Sequence, residues 1–375
     1  MRVIIVGGGV IGLATAWRCA QRGADVTVID PEPGGKASHV AAGLLPPSGD
    51  MLIGQPDFAR FVLHSRALYP SFAAEVAQAA GTPVGFLRNG ILDVAYDARA
   101  AEGLDRLRQM ADDFGVRYRM LTPDDCHRLE PHLAAEAHTG MLSPDDGSID
   151  PRALTRGLTA ALRHAGGHLV RERAARLLLD TDTPAVRLSG GALLHADRLV
   201  LAAGPWTHLL PGLPDGLVPE IKPYKGQVIR LHGDTSVHHT VRCGYEDRAV
   251  YIAPRTDGEL AVGATYEDTG YDEHVRAEGV ADLLERVRRV LPAASRMRFA
   301  GADAGLRPGS PDGRPILGPT SRDDVLLATG HHRVGVQLTP ATAEAMAEAV
   351  VTGRLPQIAR PFGADRFAST VPTPA

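Results

Sequence analysis

Two sets of residues in this chain are spaced to do chemistry: glycines near its start and arginines near its end. In "IIVGGGVIGLATAW", Gly7, Gly9 and Gly12 stand as G-x-G-x-x-G directly after the β-branched apolar run Arg2 to Val6. Such a run reads as a strand buried on both faces. Gly7 permits the turn out of it, Gly9 lets a pyrophosphate approach the backbone, and Gly12 lets a helix pack closely. The N-terminus of that helix turns free N–H groups and a positive dipole end toward phosphate. The next strand, "DVTVI", ends at Asp30, placed to accept hydrogen bonds from a ribose 2′-OH and to repel a 2′-phosphate. The implied ligand is a dinucleotide, FAD or NAD, rather than NADP.

The second set lies in "AGLRPGSPDGRPILG", where Arg307 and Arg314 are set among glycines, prolines and aliphatics. A guanidinium in such surroundings raises the question of which anion it is held there to meet. A surface-loop arginine is the alternative that these residues alone leave open. Arginine is abundant because lysine is rare (Lys36, Lys222 and Lys225), so its abundance says little. Arg314 follows the "PDG" turn and reads as structural. His331 and His332 in "GHHRVG" are adjacent, point to different sides and have no third ligand nearby, so they read as loop residues and no metal is expected. Lys222, Tyr224 and Lys225 in "IKPYKGQ" read as strand-end structure, with a place at the border of a cavity as the alternative, and Tyr266 and Tyr271 read as structural. The acids of "LTPDD" and "SPDDGSID" read as caps and turns.

The elements that must position these residues follow from the remaining pattern. At 375 residues the chain is long enough for two or three domains. A net charge of −4 argues against nucleic acid and against an anionic membrane surface. The first apolar run is broken by three glycines and falls short of the roughly 18 residues that span a bilayer, so a cytoplasmic protein is expected. Cys19, Cys126 and Cys243 are odd in number and far apart, which fits a reducing compartment, and Cys243 reads as a small core residue. "ADRLVLAAGPWT" is a further buried strand, and "DDVLLATGHHRVGVQLTPATAEAMAEAVVTG" a strand, loop and helix with Thr339 as N-cap, Pro340 next and Gly353 just past its end. A nucleotide domain is thus gathered from 1–80, 145–215 and 300–360. Alternating runs such as "NGILDVAYD", "KGQVIRLHG" and "RAVYIAPRTDGELAVGATYED", with a hairpin turn at "TDGE", assign 81–144 and 216–299 to an inserted α+β domain with an antiparallel sheet. Helices are expected at "AAEGLDRLRQMADDF" and "GVADLLERVRRVLP", and a tail over 361–375 ends in a frayed "STVPTPA".

With these stretches in hand, the chain resembles the D-amino-acid-oxidase-like flavoproteins, and within them the glycine oxidases of bacterial thiamine synthesis. The matching stretches are "VGGGVIGLATAW", "ASHVAAGLLPP", "AAGPWT", "KPYKGQ", "VYIAPRTDGELAVGAT", "AGLRPGSPDGRPILGP" and "ATGHHRVGVQLTPATA", in family order along nearly the whole chain. The resemblance implies a Rossmann-like α/β FAD-binding domain of the glutathione-reductase type, carrying the inserted α+β substrate domain. It implies non-covalent FAD, since no cysteine follows Cys243. It also implies oxidation of glycine, sarcosine or small D-amino acids to an imine, with O₂ giving H₂O₂, in thiamine thiazole synthesis and in a homotetramer.

Residue by residue, the resemblance gives Arg307 the substrate carboxylate, Tyr251 a donor's place in the same pocket, and Arg333 a position near the substrate end of the flavin. Ala42, Gly43 and Leu44 line the flavin through their backbone, Leu45 covers its ring, and Ala175 meets the adenine half. Ser38, Gly204, Gly330, Val334 and Gly335 complete the cofactor set. Val334 and Leu45 stand where asparagine and methionine are common in such proteins, departures that bear on the substrate more than on the reaction. Three readings stay open: an oxidase for glycine or N-methyl amino acids, a D-amino-acid dehydrogenase with a non-oxygen acceptor, and a non-catalytic or RNA-modifying flavoprotein. Retention of Arg307 with Tyr251, and the acidic balance, argue against the third.

Overall fold

The computed structural model describes residues 1–46, 52, 54–233 and 236–370, with side chains described as far as 367. Its first sheet has the order Ile316–Pro319, Val325–Thr329, Arg198–Leu201, Arg2–Val6, Asp25–Ile29, His168–Val170. Every neighbour is parallel except the outermost strand, Ile316–Pro319. The first strand lies in the middle because the chain leaves it on one side for Asp25–Ile29 and returns on the other with Arg198–Leu201. That reversal opens a crevice beyond the carboxyl ends of Arg2–Val6 and Arg198–Leu201, the general ligand site of open α/β sheets.

Burial on both faces explains the uninterrupted apolar run. Val3 and Ile5 face the helices Val10–Gln21, Pro56–Ala80, Pro151–His164 and Thr339–Thr352. Ile4 and Val6 face a small sheet of Ala174–Leu178, Ala185–Leu188 and Leu193–His195. The late helix begins differently from expectation. Leu338, with φ −85° and ψ 0°, precedes it, and Thr339 is already helical, its hydroxyl donating to Gly335 O at 3.0 Å. The chain enters from the tight turn His332–Val334, so no extended residue is available to act as a side-chain cap. Gly353, at φ +76°, ends the helix as expected.

The second sheet has eight strands in the order Arg298–Gly309, Lys222–His232, Glu259–Gly263, Arg248–Pro254, Thr240–Tyr245, Ile91–Ala95, Thr139–Ser143, Arg119–Leu121. It is antiparallel apart from Thr240–Tyr245 with Ile91–Ala95, the pair that joins the two separately inserted segments. The helix Ala277–Val290 covers one face through Leu283 and Val287. Strand Arg298–Gly309 runs beside Lys222–His232 for its whole length, from Gly309 opposite Lys222 to Arg298 opposite His232. This pairing moves the boundary expected at 300 to about Gly309. The tail expected from 361 is at first core: Phe362 is fully buried, 5.8 Å from Phe58 and 4.8 Å from Phe61 between ring centroids. Residues 371–375 lie outside the described residues. Among the described residues no helix is long and apolar enough to cross a membrane.

Candidate active site

The glycine turn is built as tightly as its spacing implies. Gly7 has φ +113°, and a Cβ there would lie 2.3 Å from Ala202 O, so only glycine lets the first strand's end meet the end of Arg198–Leu201. A Cβ on Gly12 would fall 1.9 Å from Gly7 O, which is the close helix packing expected of the third glycine. Gly9 caps the helix without a side-chain oxygen. Ser38 supplies one instead, its Oγ accepting from Val10 N at 3.0 Å. The Asp30 carboxylate accepts from Gly8 N at 2.6 Å and from Glu32 N at 2.7 Å. Each of its oxygens keeps a further lone pair for a ribose. Asp30 N donates to Val170 O, and Ala175 is exposed on the strand shortly beyond. A turn closed to any Cβ beside a helix N-terminus fits the phosphates of FAD.

The segment from 37 to 46 crosses from this turn to the second sheet. Gly305 makes the crossing possible, because a Cβ there would meet Val40 Cγ2 at 3.0 Å and Ala37 Cα at 3.2 Å. Gly43, at φ +72°, accepts from Ile149 N, and Leu44 and Leu45 pair with Ser148 and Gly147. Arg255 donates to Ala42 O at 2.5 Å and Ile149 O at 3.1 Å, pinning this segment from the side of the large sheet. Val40, Ala42, Val228, Ala253 and Ala261 form a small apolar cluster against which Leu44 and Tyr251 pack. Gln337 donates to Pro46 O, and Tyr69 to Val336 O, tying in the loop that carries Gly330, Val334 and Gly335. Gly204 O accepts from Thr207 and Thr329, joining the ends of two strands of the first sheet.

Arg307 stands at the far end of this arrangement. Its Nη1 donates to Lys225 O at 3.1 Å and its Nη2 to Thr265 O at 3.2 Å. Among the described residues it makes no ion pair, and burial pushes its guanidinium below the usual arginine range. Gly226 leaves the space it occupies, since a Cβ there would lie 2.1 Å from Nη2. Tyr251 leans across Gly263, whose absent Cβ would sit 2.5 Å from the phenol oxygen. Burial raises the phenol pKa against the nearby Arg307 charge, so Tyr251 stays a hydrogen-bond donor. Arg333 is exposed, and its charge acts on Arg307 as well.

Beside the arginine is an aromatic group that the sequence reading assigned to structure. Tyr224, in register opposite Arg307, stacks on Tyr266 with centroids 5.2 Å apart. His332 lies edge-on to both and shares a 3.2 Å hydrogen bond with the Tyr266 hydroxyl. The Arg307 guanidinium carbon is 5.8 Å from the Tyr266 ring centroid. Tyr266 is 55 % exposed, so the trio forms a rim. The signal was the antiparallel partner of "GLRPG", which is "KPYKGQ", but register across so long a connection is not readable from one strand. His331 points inward, Nε2 lying 3.1 Å from Thr342 Oγ1, and burial lowers its pKa to about 3, so it adds no charge. Among the described residues no group of His, Cys, Asp and Glu side chains converges as a metal site. Arg314 donates to Pro361 O and lies over the Phe362 ring, away from Arg307.

Comparison with known proteins places this arrangement. The family model of FAD-dependent oxidoreductases known as DAO matches residues 2–349. The chain is 31% identical to glycine oxidase of Geobacillus kaustophilus over 93% of its own length and 92% of the relative's. It is also 31% identical to the bifunctional protein ThiO/ThiG of Trichormus variabilis, of which it spans 56%. The crystal structure of the Geobacillus kaustophilus glycine oxidase superposes with a TM-score of 0.89 at 29% identity, over 97% of this chain and 99% of that one. Iminodiacetate oxidase from Chelativorans sp. BNC1 superposes with a TM-score of 0.86 at 26% identity, over 96% and 98%. The glycine turn, the crossing segment and the sheet behind Arg307 are therefore parts of one shared architecture, and the chain belongs to the DAO family of FAD-dependent oxidoreductases.

Proposed function

We propose that this protein is an amino-acid oxidase that converts glycine, or a close analogue such as sarcosine or a small D-amino acid, to its imine. The observation that carries this is Arg307: a guanidinium held by two neutral carbonyls, with no carboxylate of its own among the described residues. A substrate carboxylate completes it through a charge-assisted bidentate pair. Tyr251, kept protonated by burial, donates to the same carboxylate, and Arg333 adds positive field at the entrance. Glycine oxidase and iminodiacetate oxidase among the similar proteins support a small amine that bears a carboxylate.

Bound FAD would supply the acceptor for the α-hydrogen and its electron pair, with O₂ as the terminal oxidant that yields H₂O₂. The chain's part is to hold the substrate so that the Cα–H faces that acceptor, a positioning effect worth several kcal/mol. The neutral amine's lone pair then forms the C=N bond, and water splits the imine, giving glyoxylate with ammonia from glycine or with methylamine from sarcosine. Gly7, Gly9, Gly12, Asp30 and Ser38 would hold the cofactor's nucleotide half, with Ala175 beside its adenine. Ala42, Gly43, Leu44, Leu45, Gly204, Gly330, Val334 and Gly335 would line the rest. Attachment is non-covalent: Cys19, Cys126 and Cys243 are all buried, and burial pushes the Cys126 thiol up to about 11. The ThiO/ThiG relatives support a place in thiamine thiazole synthesis.

The test is a spectrum of the purified flavoprotein mixed anaerobically with glycine, sarcosine and D-alanine, then opened to air. Bleaching followed by fast recolouring with H₂O₂ release is expected. Sluggish recolouring would reassign it as a dehydrogenase, and no bleaching by any amine would overturn the pocket.

A further inference from the structure

Arg307 is held by the carbonyls of Lys225 and Thr265, so whatever fixes those two residues sets the aim of the guanidinium. Both converge on one carboxylate. Glu267 Oε1 accepts from Thr265 Oγ1 at 2.6 Å and from Gln227 Nε2 at 2.7 Å, while Oε2 lies 3.5 Å from Lys225 Nζ. Its backbone pairs with that of Lys225 in both directions, at 2.9 and 3.0 Å. Thr265 Oγ1 in turn accepts from Gln227 N at 2.9 Å. The Lys225 side chain is completely buried and also meets Asp272 at 2.9 Å, anchoring the far side of the same loop. Burial pushes the Glu267 carboxyl up, but the hydrogen bonds from Gln227 and Thr265 and the Lys225 charge outweigh it and hold the group below the usual glutamate range.

We propose that Glu267 is the positioning residue of the Arg307 site: it fixes the two carbonyls that aim the guanidinium and sets how strongly the site takes a carboxylate. It touches no reacting atom. The inference rests on the reading of Arg307 as the carboxylate partner. The network has two separable parts. The Glu267 charge acts on Lys225 and, through space, on Arg307. The Thr265 hydroxyl transmits its position to the carbonyl that Arg307 uses. Both survive replacement of Thr265 by serine, whereas Thr265→Val removes the second and Glu267→Gln the first.

The experiment uses FAD-loaded full-length enzyme and measures three things: acetate affinity from the perturbed flavin spectrum, KM and kcat for glycine, and thermal stability. Glu267→Gln and Thr265→Val are expected to weaken acetate and raise KM by the same factor, about tenfold or more, as losses of orienting partners elsewhere do. With FAD retained, kcat at saturation should change far less, and Thr265→Ser should restore acetate affinity to near that of the parent enzyme. A general structural defect would instead lower kcat, FAD retention and melting temperature together without a selective loss of acetate, and that pattern would overturn the proposal. Unchanged acetate affinity in both Glu267→Gln and Thr265→Val, alongside its loss in Arg307→Ala, would overturn the positioning role and leave the clamp standing. Unchanged acetate affinity in Arg307→Ala would overturn both.

Discussion

Arg230 and Arg307 lie on adjacent strands of one sheet, and the fold treats their charges in opposite ways. Arg230 is 2 % exposed and brings its counter-ions with it: Glu259 at 3.1 Å and Asp303 at 3.6 Å, with its remaining donors on His39 O and Val40 O. Arg152 joins Asp303 at 2.5 Å and also reaches His39 O. This cluster locks His39 and Val40 onto the large sheet. Arg307 is held as firmly, but by carbonyl dipoles alone. A structural charge is neutralised by the chain that buries it, because an unpaired buried ion is costly. A charge kept for a ligand is held by neutral groups and left for the ligand to neutralise.

The strongest break of that contrast is Arg307→Ala. The KM for glycine should rise by about 30-fold to several thousand-fold, corresponding to roughly 2–5 kcal/mol. FAD should stay bound and the denaturation midpoint should barely fall, because no ion pair among the described residues is lost; steady-state kinetics and urea melts on the same preparation check both. Arg230→Ala should do the reverse. It strips two acids of a partner and removes its hydrogen bonds to the His39 and Val40 carbonyls, costing about 3 kcal/mol of stability. Any change in glycine KM should be secondary, and a KM effect equal to that of Arg307→Ala would erase the distinction.

His331 sharpens the comparison through pH. Its folded-state pKa of about 3 lies below an unfolded value near 6.5, so the unfolded chain binds more protons between those limits. The stability this group contributes is intact above about pH 6.5 and falls as pH drops toward 3. Near pH 5 the loss should be about 2 kcal/mol relative to pH 7, and His331→Gln should flatten that part of the stability curve. The smallest expected effect is Gly226→Ala. Its Cβ would intrude on Arg307 Nη2, so a shift of the guanidinium and a KM rise of about tenfold are expected, equivalent to about 1.4 kcal/mol. An unchanged KM would mean the guanidinium needs no fixed seat.

Legibility in the sequence followed the range of the interactions. Gly7, Gly9, Gly12 and Asp30 were readable because a strand, a tight turn and a helix N-terminus are local and tolerate few residue types. Arg307 was readable as a candidate ligand from its neighbours, but its lack of an internal counter-ion was not. The trio of Tyr224, Tyr266 and His332 was passed over because its members come from three separate stretches that meet only in the folded sheet. The boundary at 300 was misjudged for the same reason, since "RFAGADAGLRPG" shows its allegiance only by pairing with Lys222–His232.

What the sequence by itself determined is the dinucleotide turn, the division into a parallel sheet and an inserted β-rich region, and a shortlist of arginines. Each rests on patterns a few residues long, where backbone sterics and burial periodicity dictate the answer. Only the tertiary structure decided which arginine is neutralised by the chain and which, among the described residues, has no ion-pair partner. The ion pairs that settle it, with Glu259 and Asp303 for Arg230 and none among the described residues for Arg307, are made or prevented by strand register, which no local pattern encodes.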